Sequence, residues 1–447
     1  MQIIETIVKT VNTVLWDYAL LFLLCGTGIF FTLRLRFVQI RRFPQGIRKL
    51  FSCFSVSGEK ADNGGMSSFQ ALTTAIAAQV GTGNIAGAAT AIASGGPGAI
   101  FWMWLSAFFG MATIYAEAIL AQKYKFTDSN GNITGGPVYY IKAAFKGRFG
   151  NFLATFFSVA IILALGFMGN MVQSNSIGSA FKTAFGINPV VVGIVCAVVS
   201  AFIFMGGRAR IASLTEKVVP AMAVLYIVGS VSVLIVCRNA LIESFRLIFV
   251  MAFSPQAVSG GIAGVTVKSA VRYGVARGLF SNEAGMGSTP HAHAIAKVDH
   301  PCDQGVVAMI GVFIDTFIIL TLTALVIIST GMWNSGETGA TLAQNAFCSV
   351  FGDFGNVFIA ICMLFFAFST IVGWYFFGET NVKSLLGEKY VKIYAFIVCL
   401  FIAVGAGLKV SLVWDMTDMF NGLMVLPNLI ALIALSRVVA NTDREKK

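Results

Sequence analysis

Ten apolar stretches of this chain are each long enough to cross a bilayer, for which a helix needs about 20 residues. Within lipid every backbone amide and carbonyl must be bonded inside the protein, so a spanning segment is a helix or a strand of a closed barrel. Stretches of this length predict helices, and hence an all-α integral membrane protein. The predicted spans are 14–36, 68–94, 98–122, 152–177, 189–206, 214–237, 305–330, 356–380, 390–408 and 412–436.

The composition excludes a soluble globular protein. Hydrophobic residues make up 57% of the 447 residues and charged residues only 11%, against roughly 25% charged in soluble domains. The net charge of +11 does not indicate a nucleic-acid partner, because the Lys and Arg residues lie in short loops, where they set membrane orientation. The bilayer is the expected partner, and the sequence indicates no obligate protein partner.

The sequence offers no catalytic or metal-binding pattern. The eight cysteines are scattered without a CxxC pair, which indicates small buried side chains. His291, His293 and His300 lie in TPHAHAIAKVDHP without a cysteine or carboxylate at ligand spacing, so a loop role is favoured over a metal site. We expect neither an enzyme nor a cofactor. The N-terminus lacks an A-x-A cleavage pattern, so no cleavable signal is expected.

The basic loops predict the membrane topology. The loop RLRFVQIRRFPQGIRKL after the first span carries six Lys or Arg residues, at 34, 36, 41, 42, 48 and 49. Such loops stay in the cytoplasm, so the N-terminus is expected outside and the C-terminus inside. The later basic loops all fall on the cytoplasmic side only if the glycine-rich region 240–285 also crosses the membrane once. About 11 transmembrane helices are therefore predicted, the seventh of them broken.

The second span is interrupted by QVGTGNIAG, residues 79–87. A glycine costs a helix interior about 1 kcal/mol relative to alanine, and a freed backbone group in hydrocarbon costs several more. Close packing of helices over small residues is one explanation. The other is a binding site, since amides at the start of a half-helix attract an anion and carbonyls before the break attract a cation. A second broken span in the same chain favours the binding site.

The two broken spans each open a block of five helices, and the two blocks start in opposite orientations. Inverted repeats led by interrupted helices are typical of secondary transporters that bind substrate at the bilayer midplane. The predicted organisation is an extra N-terminal helix with a basic cytoplasmic loop, a first five-helix repeat and a second five-helix repeat, over residues 1–60, 61–238 and 239–447.

Two long motifs carry a resemblance to a known family. QVGTGNIAGAATAIASGGPGAIFWMW (79–104) and GLFSNEAGMGSTPHAHA (278–294) resemble the alanine or glycine:cation symporters, a branch of the amino acid-polyamine-organocation transporters. The resemblance covers nearly the whole chain, including the extra first span. It implies a sodium-coupled importer of small neutral amino acids in a bacterial plasma membrane, with the inverted-repeat fold typified by the bacterial leucine transporter.

The resemblance also implies a substrate site. The backbone amides of Thr82 and Gly83 match the part of the family's first core helix that holds the substrate carboxylate, and Gln79 matches a polar side chain that lines the pocket. Phe167 and Asn170 match one apolar wall and one amide on the third core helix.

Thr370 and Trp374 match the wall contributed by the eighth core helix, and their spacing of four puts them on one helix face. Without the resemblance, a lipid-facing or packing role for Trp374 is as much expected as a place in the pocket wall. Two bulky side chains beside glycines leave little room, so Phe167 and Trp374 predict a small pocket that accepts alanine or glycine and excludes leucine.

The first break also predicts a sodium site. GTGN interrupts the helical bonding of carbonyls in the preceding turn, those of Ala77 and Val80. A hard cation such as Na⁺ prefers oxygen ligands, and the adjacent Ser369 and Thr370 on a facing helix supply two hydroxyls, although such hydroxyls often bond carbonyls of their own helix. These four positions match the sodium site of the resembling fold, and Thr370 would serve both cation and substrate.

Ionisable residues within spans are functional candidates. Glu117 and Asp315 lie on the second helix of each repeat, where we expect them toward the cytoplasmic side, near Arg272 and Arg277 of the broken seventh span. An ion-pair network that gates the inner side is favoured over a proton relay. GLFSNEAGMGS is expected in the same inner-side assembly, for a reason that the residues do not supply.

The sequence therefore predicts a sodium-coupled amino acid symporter that works by alternating access. One Na⁺ moving across 100 mV supplies about 2.3 kcal/mol, enough for roughly a 50-fold substrate gradient. Proton coupling through Glu117 or Asp315 is the first alternative. An ion channel with interrupted helices is a second one.

Overall fold

The computed structural model describes residues 2–54, 65–127, 133–254, 266–408 and 411–446. The helices of the first half are α1 (Glu5–Arg34), α2 (Val38–Arg41), α3 (Phe43–Phe54), α4 (Ser68–Gln79), α5 (Gly83–Gly87 continuing as Ala88–Gly95), α6 (Ala99–Lys123), α7 (Pro137–Ala144), α8 (Gly147–Phe185), α9 (Pro189–Met205) and α10 (Gly207–Val236). A two-stranded antiparallel ribbon, β1 (Phe126–Thr127) with β2 (Ile133–Thr134), lies between α6 and α7.

The helices of the second half are α11 (Leu241–Phe253), α12 (Val267–Asn282), α13 (Pro290–Ala294), α14 (Pro301–Ser329), α15 (Gly339–Phe351), α16 (Phe354–Leu386), α17 (Val391–Gly405), α18 (Ser411–Ala434) and α19 (Ser436–Glu445). Seven helices of the described part are long and apolar enough to cross a membrane: α1, α6, α8, α10, α14, α16 and α18. Every predicted span lies on helical segments, and the all-α membrane architecture is confirmed.

The first broken helix is α4 followed by α5. Ser67 and Gln70 form a capping box at the start of α4. The helix ends at Gln79 because Val80 leaves the helical conformation (φ −81°, ψ 85°), and the freed amide of Gly81 donates to Asn84 Oδ1 over 3.1 Å. Residues 80–82 form the first unwound segment, so the predicted break at GTGN is confirmed.

The second broken helix is α12 followed by α13. Its interruption spans residues 283–289, EAGMGST, which we name the second unwound segment. Glu283, Gly285 and Gly287 have left-handed φ values of 56°, 88° and 79°, a region that is open to glycine and costs other residues about 1–2 kcal/mol. GLFSNEAGMGS, which was expected in one assembly with Glu117 and Asp315, does bond both carboxylates through Gly285, Gly287 and Ser281, and it also contains the break itself. The SGGIAG stretch of the 240–285 region lies outside the described residues.

The two broken helices run antiparallel along each other. A Cβ on Gly95, the last residue of α5, would lie 3.1 Å from the Cα of Ala270 near the start of α12. A Cβ on Gly83 would lie 3.0 Å from the Cα of Ser281, so the two breaks meet at this glycine. At the other end Met66, just before α4, pairs with Ala296, just after α13. Opposite directions are what an inverted repeat requires.

The C-terminal helix α19 is clamped onto the basic loop after α1. Asp443 accepts from Arg41 Nη2 (2.6 Å), Arg42 Nε (2.8 Å) and Tyr115 Oη (2.7 Å). Burial alone would raise the pKa of Asp443, but the hydrogen bond from Tyr115 and the guanidiniums of Arg42 and Arg41 hold it below its usual value. Its contribution to docking is therefore complete above the ordinary pKa of about 3.9 and is lost only as the pH falls through the lower pKa of the folded protein. The C-terminus and the basic loop lie on the same side of the molecule.

Replacing Asp443 by Asn is expected to loosen α19. The change removes charge-assisted hydrogen bonds worth about 1.5–3 kcal/mol, so amide exchange over 436–445 at neutral pH should quicken roughly 10- to 150-fold. Hydrogen–deuterium exchange with mass spectrometry measures this. The control Glu243→Gln removes an ion pair with Arg246 whose side chains are 54% and 64% exposed, and it should leave α19 unchanged. Wild-type exchange in Asp443→Asn would show that other contacts hold α19.

Candidate functional site

The two unwound segments are joined by buried hydrogen bonds at the centre of the bundle. Gln79 Nε2, at the end of α4, donates to the carbonyl of Asn282, at the end of α12, over 2.7 Å. Asn84 Nδ2 donates to Asp315 Oδ1 (2.7 Å), and Ser281 Oγ donates to the same carboxylate (3.0 Å). Asp315 on α14 therefore binds residues from both broken helices, and all five residues are buried.

Oxygen atoms converge on the last turn of α4 before the break. Thr370 Oγ1 donates to the carbonyls of Ala77 (2.9 Å) and Phe366 (3.0 Å). Ser369 Oγ lies 2.9 Å from the Phe366 carbonyl and 3.4 Å from that of Ala77. The structure thus brings together three of the four residues predicted to bind sodium, and Val80, the fourth, ends the helix three residues later. The Phe366 carbonyl is an additional oxygen that the i−3 and i−4 bonding of helical Ser and Thr could have indicated.

The amide end of α5 meets a side chain that the sequence analysis missed. The backbone N–H of Thr82 donates to Gln173 Oε1 over 3.2 Å. A Cβ on Gly81 would lie 2.3 Å from Thr370 Oγ1 and 3.3 Å from Gln173 Oε1, so only glycine fits here. Gln173 lies one turn after Asn170 on α8 and is 1% exposed. A second amide at helical spacing from the first was the sequence signal for it.

Trp374 lies in the interior, beside the second unwound segment. Its side chain is 1% exposed, which contradicts a lipid-facing role. The indole Nε1–H donates to Glu283 Oε1 (2.5 Å), Gly169 packs against the ring, and Phe280 meets the ring edge-on at 5.8 Å. Trp374 therefore fills the space between α8, α12 and the second break.

Phe167 does not line this region, and its predicted place in the pocket wall is wrong. Its half-buried ring packs on Tyr394 (5.7 Å) and Phe401 (4.9 Å) of α17. The turns of α8 over 162–169 are widened to i→i+5 bonding, which changes the direction of side chains relative to a regular helix. The sequence gives no signal for such widening.

Asn170 is fully buried on the same helix. Its Nδ2 donates to the Gly166 carbonyl over 3.0 Å. Its Oδ1 has no hydrogen-bond partner within the part of the chain that the structure describes. A buried amide oxygen without a partner is rare in native proteins, so Asn170 remains a candidate to bind a ligand donor.

The predicted ion-pair network is wrong for both carboxylates. Glu117 accepts from the backbone amides of Gly285 (3.1 Å) and Gly287 (3.0 Å) and from Asn428 Nδ2 (2.6 Å). Asp315 lies between the breaks instead of at the inner side. Each carboxylate thus satisfies polar groups near an unwound segment.

Arg272 and Arg277 lie on the other half of the molecule from Glu117. Both precede the second break on α12, whereas Glu117 binds amides within the second unwound segment. Arg277 pairs with Asp418 on α18 through two bonds of 2.8 and 3.1 Å. The guanidinium of Arg272 lies 5.3 Å from the ring centroid of Tyr273.

The two histidines of HAH belong to the short helix α13 and not to a loop. His291 bonds the Ser288 carbonyl and Asn381, and His293 bonds Gln304. Gln122 Nε2 on α6 faces three carbonyls at the end of α13, those of His293, Ala294 and Ala296. The motif therefore anchors α13 to its neighbours.

Comparisons with known proteins agree with this geometry. The model of the sodium:alanine symporter family matches residues 1–445. The sodium/alanine symporter AgcS of Methanococcus maripaludis is 42% identical over 98% of this chain and 96% of its own length. The probable sodium/glutamine symporter GlnT of Bacillus subtilis is also 42% identical, over 98% of this chain and 90% of its own.

A solved structure shows the same fold. MhsT in complex with L-phenylalanine superposes with a TM-score of 0.59 at 15% identity, over 86% of this chain and 100% of that one. The broken antiparallel helices are thus those of a leucine-transporter-like fold. Matched from end to end by the family model, the chain belongs to the sodium:alanine symporter family.

Proposed function

We propose that the protein imports small neutral amino acids, chiefly alanine and glycine, together with Na⁺ by alternating access. The observation that carries the proposal is the contact of Thr370 and Ser369 with the Ala77 carbonyl, one turn before the first break. The proposed setting is a bacterial plasma membrane, with the N-terminus outside and the C-terminus in the cytoplasm. A relative named a sodium/alanine symporter supports the substrate and the ion.

The proposed cation site is built from neutral oxygens. The hydroxyls of Ser369 and Thr370 and the carbonyls of Ala77 and Phe366 are all buried, and Val80 would complete the set. Oxygens at the end of a half-helix suit a hard monovalent cation, because the dipole there is negative and no fixed carboxylate is required. The cation would therefore contribute its full charge to transport across the membrane potential.

The proposed substrate site begins at the start of α5. The amides of Thr82 and Gly83 would bind the substrate carboxylate at the positive end of a half-helix. Gln173 Oε1 accepts the Thr82 amide in this structure, so a substrate carboxylate would replace one acceptor by another. Asn170, Gln79, Thr370 and Trp374 would surround the rest of a small substrate.

Separate ion gradients test the coupling. Purified protein in proteoliposomes is expected to accumulate labelled alanine when an inward Na⁺ gradient is imposed, and not when only a pH gradient is imposed. Accumulation driven by the pH gradient alone would move coupling to protons, with Asp315 between the two breaks as first candidate. Sodium-dependent flux that never exceeds equilibrium would instead indicate a channel.

Removal of the two hydroxyls should weaken sodium dependence. Thr370→Val is expected to raise the Na⁺ concentration for half-maximal alanine uptake roughly 10-fold, because a buried ligand oxygen is replaced by a methyl group at a cost of about 1–2 kcal/mol. Ser369→Ala should act in the same direction with less effect on alanine affinity. The control Thr380→Val removes a hydroxyl on α16 whose one hydrogen bond among the described residues is to the Phe376 carbonyl, and it should match wild type. Wild-type sodium titrations in both site variants would remove this site.

Trp374 should limit substrate size. Trp374→Ala is expected to let leucine compete with alanine uptake, because a fully buried indole beside the second unwound segment is removed, and to weaken alanine at the same time. Phe167→Ala is the matched control, since its ring packs on α17 and selectivity should not change. Competition by leucine, glycine and alanine in each variant decides this. Leucine inhibition of the wild type as strong as that by glycine would contradict a small pocket.

A further inference from the structure

Glu283 is a fully buried carboxylate that the roles above leave unexplained. It is the first residue of the second unwound segment and has a left-handed φ of 56°. A glycine or asparagine would adopt this conformation with less strain. The chain nevertheless places an acidic side chain here, which points to a role for the carboxylate itself.

The hydrogen-bond capacity of Glu283 is less filled than that of its neighbours. A carboxylate oxygen accepts about two hydrogen bonds. Three donors bond the Asp315 carboxylate, from Asn84, Ser281 and Thr316, and three bond the Glu117 carboxylate. Glu283 accepts one at each oxygen, from Trp374 and from Ser288. Each of its oxygens therefore has room for a further donor.

The charge of Glu283 also has no basic partner in the described part of the chain. Its two donors are an indole and a hydroxyl, both neutral. An ionised carboxylate held in a protein interior without a counter-charge costs several kcal/mol. The α-ammonium group of an amino acid brings one positive charge and three N–H donors. It would therefore supply both the counter-charge and the further hydrogen-bond donors that Glu283 lacks.

The position of Glu283 fits a ligand bound by the start of α5. Gly83 contacts Ser281, and Ser281 is two residues from Glu283, a distance of at most about 7 Å along the chain. Trp374 connects the Glu283 carboxylate to Gly169, the neighbour of Asn170. Within the site proposed above, on which this step rests, we propose that Glu283 accepts the α-ammonium group while the amides of Thr82 and Gly83 hold the carboxylate. Glu283 then selects amino acids over hydroxy acids of the same size.

Binding of L-alanine and L-lactate tests this proposal, because lactate differs only in carrying a hydroxyl where alanine carries the ammonium. Dissociation constants come from ligand-induced thermal stabilisation of the purified protein in sodium. In Glu283→Gln the alanine Kd is expected to rise roughly 10- to 150-fold, the range of a charge-assisted hydrogen bond, whereas the lactate Kd changes less than about 3-fold. The sodium dependence of residual alanine binding should stay that of wild type.

Two variants make the test robust. Glu379→Gln, the same change at another buried carboxylate on α16, should leave both dissociation constants unchanged. Glu283→Asp keeps the charge but withdraws it by one methylene, so it should weaken alanine less than Glu283→Gln and leave lactate unaffected, and it serves if Glu283→Gln does not fold.

Three results would overturn the assignment: an unchanged alanine Kd in both Glu283 variants, equal weakening of alanine and lactate, or a shifted sodium dependence. The first leaves Glu283 outside the site, the second makes it structural, and the third places it at the cation. Failure of the wild type to bind or transport alanine is a separate result, because it would contradict the proposed function and not the role of Glu283 alone.

Discussion

A helix interrupted inside a membrane frees backbone groups that lipid cannot satisfy, and the rest of this structure depends on how the protein satisfies them. Side chains form several of the hydrogen bonds to these freed groups. Asn84 accepts the amide of Gly81, Gln79 donates to the Asn282 carbonyl, and Glu117 accepts the amides of Gly285 and Gly287. These fixed partners help the two breaks to persist in the membrane interior.

Each repeat supplies a carboxylate that bonds the broken helix of the other repeat. Glu117 belongs to α6, the helix after the first broken helix, yet it binds the second unwound segment. Asp315 belongs to α14, the helix after the second broken helix, and it binds Asn84 at the start of α5. The second helix of each repeat thus supports the break of the other, as expected where two repeats are related by a pseudo-two-fold axis. Neither break is complete within its own repeat.

The sequence predicted the parts of the fold and site that depend on local pattern. The length of the apolar stretches predicted the helices, and GTGN predicted the first break. The adjacent Ser369 and Thr370 predicted hydroxyl oxygens opposite that break. The parts that were predicted wrongly depend on where side chains point and which segments meet in the folded chain. The widened turns of α8 direct Phe167 toward α17. The second break lies in a motif whose local sequence signs are its two glycines, Gly285 and Gly287. Charge spacing suggested ion pairs for Glu117, whereas backbone amides from a distant segment are its actual partners.

The length of α13 has a consequence for how the second half of the second broken helix would move. Isolated helices shorter than about 12–15 residues are marginal in water, because few internal bonds follow the costly first turn. α13 has five residues, and the single amide of Gln122 faces three carbonyls at its end. Its conformation is thus imposed by α6 and α16 and is not its own. If those helices separate during transport, we expect this segment to lose its helical shape instead of tilting as a rigid rod, so that this end of the protein would open by local unfolding.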